Sequence, residues 1–468
     1  MQNYDLIVIG AGPGGYEAAI RAARYGLNVA LAEMYEVGGT CLNRGCIPTK
    51  TLMHAAHLYH EMTACEELGV YAKEVSFDIE KIYARKDDVV SKLRIGIEFL
   101  LKANKVSLIK GKAVITSVNT VSIMTSEGSV VVKASNILIA SGSVPACPPI
   151  EGLNLPGVMT SSEMLEQAGT AYKKLTIIGG GVIGVEFASI FAGLGCEVTI
   201  IEAMDRLLPT MDKEISQNLN MIFKKRGIKV FAAASVERIA QEGQGLMCHF
   251  TWKGKTQSVE AEAILAATGR RANIEGLFSE GVNVKCERGI VVDEHFQTSI
   301  PGIYAIGDVI HGGIQLAHAA SAQGLNAVAH ITGKLPEIDV ATVPSCIYTN
   351  PEIASVGLSA DEAKSRGIEV KTGKFLMSGN GKSMIEMQDR GFIKVVFDAE
   401  SEVILGAGLM CARATDLISE LAAAIVNKLT LSQLNSVIRP HPTFSEGITE
   451  AVEAAHGMAI HIAPPKQL

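Results

Sequence analysis

Residues 4–15 read YDLIVIGAGPGG, an apolar run that passes directly into a glycine-rich turn. Residues 4–9 predict a buried strand, and residues 16–25, beyond the glycines, predict a helix. A second strand is predicted at residues 27–32. The glycines form G-x-G-x-x-G between strand and helix, the arrangement that binds a dinucleotide. The start of the chain therefore predicts a Rossmann-like α/β domain.

Each glycine of this pattern has a separate physical task. Gly10 permits the tight turn, Gly12 lets a pyrophosphate approach the backbone, and Gly15 lets the helix pack closely on the strand. The helix N-terminus then presents unpaired N–H groups to the phosphates. Glu33 ends the next strand, about 20 residues on, where its carboxylate can accept hydrogen bonds from ribose hydroxyls.

A second copy of this unit begins with the strand predicted at residues 175–178. The letters GGGVIG follow, and a helix at residues 185–193 and a strand at residues 197–201 are predicted next. The cofactor-binding glycines of this copy are Gly179, Gly181 and Gly184. Two such units predict two Rossmann-like domains in one chain.

The acid that ends the second unit indicates which nicotinamide nucleotide binds there. Glu202 ends the predicted strand, and a carboxylate at this place bonds to a 2′-hydroxyl and repels a 2′-phosphate. NAD is therefore favoured over NADP. Arg206 lies nearby in sequence, but a solvated residue at a helix start explains it better than a phosphate-binding residue does.

Residues 38–50, GGTCLNRGCIPTK, hold Cys41 and Cys46 with four residues between them. A dithiol at this spacing can close a small loop and so switch between disulfide and dithiol. Beside a flavin, such a pair can pass two electrons between a thiol substrate and a nicotinamide. Cys46 precedes a predicted helix, and the pKa of a thiol at a helix N-terminus is lowered.

Two simpler explanations of the cysteine pair stay open: two buried thiols, or half of a zinc site. The second pair of closely spaced Cys or His residues that a zinc site needs is missing. No metal site is expected, and a packed or solvated helix face explains His54, His57 and His60 better than a metal does. The other cysteines are isolated and expected to be inert: Cys65, Cys147, Cys196, Cys248, Cys286, Cys346 and Cys411.

A dithiol also needs a base that takes and returns protons, and a carboxylate that orients that base. The segment RPHPTFSE supplies His441 and, five residues later, Glu446. A His-Pro loop alone is more often structural. The cysteine pair is what favours a catalytic role for this histidine.

Composition limits the class of protein. The chain has 468 residues, enough for roughly three domains, and its net charge of −7 comes without a long basic run, so nucleic-acid binding has little support. No apolar run approaches the roughly 18–20 residues that span a membrane, and no leader is seen before the first strand. Nine cysteines, an odd number, do not form the disulfide framework of a small secreted protein. The cytoplasm is the expected location.

The motifs together give the chain a likeness to a known family. The chain resembles the class I pyridine nucleotide–disulfide oxidoreductases over nearly its whole length. The motifs that carry the resemblance stand in family order: GAGPGG, GGTCLNRGCIPTK, GGGVIGVEFA, ATGRRAN, TSIPGIYAIGD, YTNPEIASVG and HPTFSEGITEA. With the α+β pattern seen after residue 343, the expected divisions are an FAD-binding domain (1–143 and 272–343), an NAD-binding domain (144–271) and a dimerisation domain (344–468).

The resemblance implies roles for individual residues. Cys41 would be the thiol that meets substrate, and Cys46 the thiol against the flavin. Lys50 would lie near the flavin N5 and pair with Glu186. Asp308 would bind the ribityl chain of FAD. Further cofactor contacts are implied at Gly39, Thr40, Ala113, Gly142, Ala317, Val236 and Gly269.

The resemblance also implies a homodimer. His441 and Glu446 would act in the active site of the partner subunit, and the third domain would form the interface. For glutathione-reducing relatives, the resemblance implies an arginine where this chain has Ile20. A lipoyl amide binds in an apolar pocket instead, so dihydrolipoamide is the favoured substrate and NAD⁺ the acceptor. Arg44 and Ser141 depart from the valine and threonine expected at their positions.

Two rival functions stay open from sequence. One is an NAD(P)H-dependent disulfide reductase of the glutathione-reductase type. The other is a flavoprotein scaffold or redox sensor without turnover. The favoured substrate is free dihydrolipoamide or the lipoyl group of a carrier protein, and the expected partners are components of a 2-oxo-acid dehydrogenase or glycine-cleavage complex.

Overall fold

A computed structural model describes residues 2–167, 169–243, 245–336 and 338–463. The chain forms two compact units. The first contains Met1–Tyr172 and Ala263–Val340, and the second contains Lys173–Glu262 and Ala341–Leu468. None of the helices in the described ranges is both long and apolar enough to cross a membrane.

The helices follow one another along both units. They are α1 (Pro13–Arg24), α2 (Gly39–Arg44), α3 (Cys46–Ala64), α4 (Ile79–Ala103), α5 (Ser161–Glu166), α6 (Val182–Gly193), α7 (Lys213–Lys225), α8 (Ala317–Ile331), α9 (Ala360–Ser365), α10 (Gly381–Ile385), α11 (Ala414–Val426), α12 (Leu431–Asn435) and α13 (Glu446–Ala454).

The strands are mostly short. They are β1 (Gln2–Ile9), β2 (Val29–Glu33), β3 (Ser107–Lys110), β4 (Lys112–Ser117), β5 (Thr120–Thr125), β6 (Gly128–Ile139), β7 (Ser143–Pro145), β8 (Val158–Thr160), β9 (Lys174–Ile178), β10 (Glu197–Glu202), β11 (Lys229–Ala232), β12 (Ala234–Glu242), β13 (Gly245–Trp252), β14 (Lys255–Ala261), β15 (Ala263–Ala266), β16 (Arg270–Ala272), β17 (Ile303–Ala305), β18 (Ser345–Ile347), β19 (Glu352–Gly357), β20 (Val370–Leu376), β21 (Phe392–Asp398) and β22 (Ile404–Cys411).

The main sheet of the first unit has β1 near its centre. Its order is β3-β2-β1-β6-β5-β4, and β17 also pairs with β6. Leu6 and Val8 face a core shared with α1 and α8, whereas Ile7 and Ile9 face a core shared with β4 and β5. Both faces of β1 are therefore buried, which explains why its sequence is a continuous apolar run instead of an alternating one.

The second unit combines parallel and antiparallel strands. β10 runs parallel to β9 and β11, and β12, β13 and β14 form an antiparallel meander. The strands β18-β19-β22-β21-β20 form an antiparallel sheet on which α11 and α13 pack. Its core is built from fully buried apolar side chains that include Phe375, Ile393, Leu409, Ile418 and Ile448.

The predicted strand and helix types are confirmed, but the starts of two helices are wrong. α1 begins at Pro13 and α6 at Val182, three residues before the predicted starts at 16 and 185. The apolar repeat starts late because the first turn of each helix is made by the glycine motif itself. The α+β pattern after residue 343 is confirmed by the antiparallel sheet and its helices.

A cluster of four charged side chains joins α7 to β20 and β21 within the second unit. Lys394 Nζ lies 2.6 Å from Asp212 Oδ2 and 3.2 Å from Glu214 Oε2, and Lys374 also bonds to Glu214. Burial raises the pKa of Glu214, but the bonds to Lys374 and Lys394 lower it by a larger amount, so the net shift of the pKa is downward. The stability that Glu214 contributes is thus present above its ordinary pKa and lost as pH falls through the lowered value.

We predict that Lys394→Met lowers the midpoint of thermal unfolding by about 2–6 °C near neutral pH, because two partly buried carboxylates lose their shared cation. Scanning fluorimetry of the purified protein measures this shift. Lys371→Met, on the exposed side of β20, is the control and should leave the midpoint unchanged. Equal midpoints for both variants, or a difference that does not shrink in acid, would contradict the prediction.

Candidate active site and dinucleotide turns

Cys41 and Cys46 lie at the junction of two helices in the first unit. Cys41 is on α2, Cys46 is the first residue of α3, and Gly45 separates the two helices. A Cβ added at Gly45 would lie only 3.0 Å from the carbonyl oxygen of Thr40, so glycine suits this tight reversal. The reversal brings the two thiols into hydrogen-bond contact.

The surroundings of the two sulfurs are chemically unequal. The hydrogen bond with Cys46, followed by burial, raises the pKa of the Cys41 thiol far above its ordinary value. The positive charge of Lys50 acts in the opposite direction, which requires its ammonium group to be near the couple. Cys46 occupies the first position of α3, where the unpaired N–H groups of a helix favour negative charge. The Cys41 thiol therefore holds its proton more firmly than a free thiol does, and the distinct roles of the two sulfurs stay a prediction.

The first dinucleotide turn is formed by glycines that approach one another. A Cβ added at Gly15 would lie 1.9 Å from the carbonyl oxygen of Gly10, and one at Gly39 would lie 2.6 Å from the Cα of Gly12. Bare backbone therefore lines the turn. α1 begins beyond Gly12 without a side-chain hydrogen bond at its N-terminus, so its first N–H groups can bind an anion.

Glu33 is fastened to the same turn. Its Oε2 accepts a hydrogen bond from the Ala11 N–H at 2.7 Å, and its Oε1 accepts one from the Tyr35 N–H at 2.7 Å. The side chain is buried, so these bonds compensate part of the cost of removing its charge from water. Each oxygen still has a lone pair for a ribose hydroxyl.

The second turn repeats this construction in the second unit. A Cβ added at Gly184 would lie 1.9 Å from the carbonyl oxygen of Gly179, and α6 begins beyond Gly181 without a side-chain cap. Glu202 accepts hydrogen bonds from the Gly180 N–H and, at 2.6 Å, from the Met204 N–H. Two turns with the same carboxylate, the same bare glycines and the same uncapped helix fit two dinucleotides.

Arg206 is engaged elsewhere. Its Nη1 lies 3.3 Å from both carboxylate oxygens of Asp205, and its Nη2 donates to the carbonyl oxygen of Pro209 at 3.0 Å. The guanidinium is therefore partly neutralised and directed along its own loop. Arg206 lies in the loop before α7 and not at a helix start as predicted, and the contact of Glu202 with the ribose stays a prediction.

Asp308 belongs to a hydrogen-bonded chain that sequence reasoning missed. Ser143 Oγ donates to Asp308 Oδ2 at 2.6 Å, and Arg270 Nε donates to Ser143 Oγ at 2.8 Å. Burial lowers the pKa of Arg270, while the charges of Asp308 and Cys46 oppose that shift. Arg270 thus lies close to both the acid and the sulfur. The motif ATGRRAN contains Arg270, but its sequence gives no sign of these partners.

His441 and Glu446 are brought together in the second unit. His441 Nδ1 lies 2.9 Å from Glu446 Oε1, and Glu446 Oε2 accepts a hydrogen bond from the Thr443 N–H at 2.8 Å. Burial raises the pKa of Glu446, but the Thr443 N–H and His441 lower it, so its net shift is downward. The imidazole is therefore oriented by an ionised carboxylate, while 78% of the His441 side chain is exposed.

The loop that carries His441 is held from behind. The amide of Asn380 donates to the carbonyl oxygen of Thr443 at 3.0 Å. The nearly buried Arg439 bonds to Glu420 on α11 and donates to Thr449 Oγ1 on α13 at 2.7 Å. Sequence reasoning did not identify Asn380, which is 63 positions from Thr443, or the role of Arg439, whose partner Glu420 lies 19 positions away outside the RPHPTFSE motif.

The remaining predicted residues are spread over both units. Lys50 lies in the first unit, and Glu186 lies in the second, where its Oε1 accepts a hydrogen bond from the Tyr348 N–H at 3.0 Å. Their pairing stays a prediction. Among the other predicted contacts, Thr40 is at an exposed position of α2, and Gly142 and Gly269 are in turns with positive φ. Ala317 is the first residue of α8, and Ala113 and Val236 lie in the paired strands β4 and β12. Within the described residues, no three His, Cys, Asp or Glu side chains are grouped to hold a metal ion.

The sequence matches one family and several known proteins over most of its length. A family model described as pyridine nucleotide-disulphide oxidoreductase matches residues 4–324, and the dimerisation domain of that family matches residues 343–452. A dihydrolipoyl dehydrogenase of Bacillus subtilis is 41% identical over 98% of this chain and 99% of its own. One of Thermus scotoductus is 42% identical over 99% of both chains.

Solved structures agree with these matches. The HOCl-induced flavoprotein disulfide reductase RclA of Escherichia coli, solved as a Cu(II) complex, has a TM-score of 0.87 at 29% identity, over 97% of this chain and 99% of its own. LpdA of Mycobacterium tuberculosis has a TM-score of 0.89 at 26% identity, with the same coverage. The chain belongs to the pyridine nucleotide-disulphide oxidoreductase family, and its C-terminal segment is a dimerisation domain.

Proposed function

We propose that Cys41 and Cys46 are the redox couple with which this chain oxidises dihydrolipoamide. The observation that carries the proposal is the contact between the two thiols at the start of α3, immediately after the glycine turn of the first unit. The relatives at about 40% identity over nearly the full chain are dihydrolipoyl dehydrogenases. This chain likewise is an oxidoreductase that uses FAD and NAD.

FAD fits the first turn and NAD the second. Gly10, Gly12 and Gly15, with Glu33 and Asp308, would hold FAD, and the corresponding residues Gly179, Gly181, Gly184 and Glu202 would hold NAD. We assign FAD to the first turn because Gly39 contacts Gly12 of that turn and begins the helix that carries Cys41. Bound at the first turn, FAD supplies a two-electron acceptor between the thiol couple and the nicotinamide.

The sulfur chemistry is thiol–disulfide exchange. One substrate thiolate attacks Cys41 of the oxidised couple, a mixed disulfide forms, and Cys46 leaves as the thiolate. The second substrate sulfur then attacks the first, which closes the substrate disulfide and releases Cys41. One substrate proton goes to His441 Nε2 and the other returns to the Cys41 sulfur. The substrate loses two electrons, and the Cys41–Cys46 disulfide gains them.

His441 is proposed to serve the couple of the partner subunit. Its side chain is largely exposed, and Ile438, three residues before it, is 95% exposed. Large apolar side chains exposed beside a polar catalytic pair are typical of a surface that another chain covers. In a homodimer each base loop would be buried against the other chain, so each active site would use residues of both subunits.

The substrate in the cell is proposed to be the lipoyl group of a carrier protein, in a 2-oxo-acid dehydrogenase or glycine-cleavage complex in the cytoplasm. A second candidate is supported by the likeness to the disulfide reductase RclA, which favours a chain that runs the exchange toward reduction. The nicotinamide used and the disulfide accepted distinguish the two functions.

We predict that the enzyme oxidises dihydrolipoamide with NAD⁺, and that Cys41→Ser lowers this rate by roughly 10³-fold or more because no mixed disulfide can form. Steady-state rates with lipoamide and with glutathione, each with NADH and NADPH, test the substrate. Cys286→Ser, at an exposed cysteine far from the couple in sequence, is the control. Faster turnover of glutathione with NADPH would support the reductase instead, and full activity of Cys41→Ser would refute the dithiol mechanism.

His441→Gln is expected to slow thiol oxidation by about 10²-fold or more, since the proton acceptor is lost. Flavin content and absorption should not change. Rapid-mixing kinetics with dihydrolipoamide measure the effect. His456→Gln is a matched control, because His456 also pairs with a glutamate, at 2.8 Å from Glu402. If both variants slowed the reaction equally, or if His441→Gln released the flavin, the histidine would be structural.

Glu202→Gln is expected to lower kcat/KM for NAD⁺ by about tenfold or more, because a charge-assisted hydrogen bond to the ribose is weakened. The ratio of NADP⁺ to NAD⁺ use should rise, since repulsion of a 2′-phosphate is removed. Glu197→Gln, at the exposed start of the same strand, is the control. An unchanged nucleotide preference in Glu202→Gln would exclude the proposed contact.

A further inference from the structure

Arg44 lies in the arc of residues 42–45 that connects the two cysteines, as the last residue of α2. Its Nη2 lies 2.8 Å from Glu36 Oε2, and its Nε lies 2.5 Å from Glu166 Oε1. The centre of its guanidinium lies 5.4 Å from the ring centre of Tyr35. A planar fork shared by two carboxylates fixes direction as well as charge, so the arc is held at this point.

The first tie fastens the arc to its own beginning. Glu36 belongs to the segment that leaves β2 and enters the glycine turn before α2. Asn43, next to Arg44, adds hydrogen bonds from its amide to the carbonyl oxygens of Val37 at 3.0 Å and Gly39 at 2.9 Å. The arc is therefore folded back onto the turn proposed to hold FAD.

The second tie leads to a helix that is itself anchored. Glu166 is the last residue of α5, and the hydroxyl of Tyr83 on α4 donates to the carbonyl oxygen of Met164 at 3.2 Å. The buried Lys86, also on α4, donates to the carbonyl oxygen of Leu165 at 2.6 Å. The ammonium group of Lys86 is favourable at the C-terminus of α5. These bonds hold the end of α5, which carries Glu166, in place.

We infer that Arg44, tied to Glu36 and Glu166, is a positioning residue that keeps the two sulfurs within bonding reach after reduction and so favours the disulfide over the dithiol. This inference rests on the proposed redox couple. We call the three side chains the Arg44 clamp. Without the clamp the reduced arc gains freedom, and that freedom has to be lost again before the disulfide can close.

The charge of Arg44 acts in the opposite sense from the clamp. Removing the arginine leaves two carboxylates near the couple, and added negative charge disfavours a thiolate. Charge alone would thus shift the couple toward the disulfide, whereas loss of the clamp shifts it toward the dithiol. The direction of the shift therefore separates the two effects.

The test uses the FAD-loaded dimer with Arg44→Met. Enzyme is equilibrated without oxygen in mixtures of lipoamide and dihydrolipoamide, quenched in acid and alkylated. Mass spectrometry of the peptide that carries both cysteines then gives the ratio of dithiol to disulfide. We expect the dithiol to be favoured by about threefold to tenfold, because partly exposed ion pairs are individually weak. A tenfold change equals about 30 mV for this two-electron couple.

Further variants make the result specific. Arg44→Lys keeps the charge but not the fork and should give a smaller shift in the same direction. Glu166→Gln should shift the couple toward the dithiol, and should add little in the Arg44→Met background because both changes break one clamp. Arg85→Met is the control, since Arg85 pairs only with the exposed Asp88 of its own helix among the contacts described, at 2.9 Å.

An unchanged ratio in Arg44→Met, or a shift toward the disulfide, would overturn the inference. If Arg44→Met does not fold, Glu36→Gln and Glu166→Gln decide, and unchanged ratios in both would refute the clamp. The same equilibrium measured against dithiothreitol needs no lipoamide activity. A failed proposal about the substrate is thereby distinguished from a failed clamp, since the dithiothreitol ratio still reports on the arc.

Discussion

The contact between the Cys41 and Cys46 sulfurs is the interaction on which the site depends. It requires a chain reversal between α2 and α3, and Gly45 provides the space for it. The reversal also places one sulfur at the start of α3 and leaves the other on α2, so the two sulfurs have different surroundings. Two chemically different sulfurs are what an electron relay between a thiol and a second acceptor needs.

In both nucleotide turns, a glutamate at the end of a strand bonds to the backbone of the glycine turn. Glu33 bonds to the turn through Ala11, and Glu202 bonds to its own turn through Gly180, the equivalent position. The acid therefore supports the glycine backbone, in addition to the ribose contact proposed for it. This double task gives each carboxylate a structural reason to stand at the end of its strand, beside the recognition reason inferred from the motif.

Sequence predicted the parts of the site whose signal is local. Fixed spacing within a few residues predicted both glycine turns, the cysteine pair and the His441–Glu446 pair. Contacts between distant segments left no such signal: Arg44 and Glu166 are 122 positions apart, and Arg270 and Ser143 are 127 positions apart. The first pair depends on the packing of α2 against α5 and the second on the pairing of β16 with β7, and residue spacing alone encodes neither. The fold class was predictable because it rests on repeated local units.

The charged cluster on α7 has a thermodynamic consequence. α7 follows the loop after Glu202, and Asp212 and Glu214 tie its start to β20 and β21 of the dimerisation segment. The loop that follows the proposed nucleotide contact is therefore tied to the dimerisation segment. By linkage, any free energy that nucleotide binding spent on moving α7 would return, with equal size, as a change in the affinity of the subunits for each other.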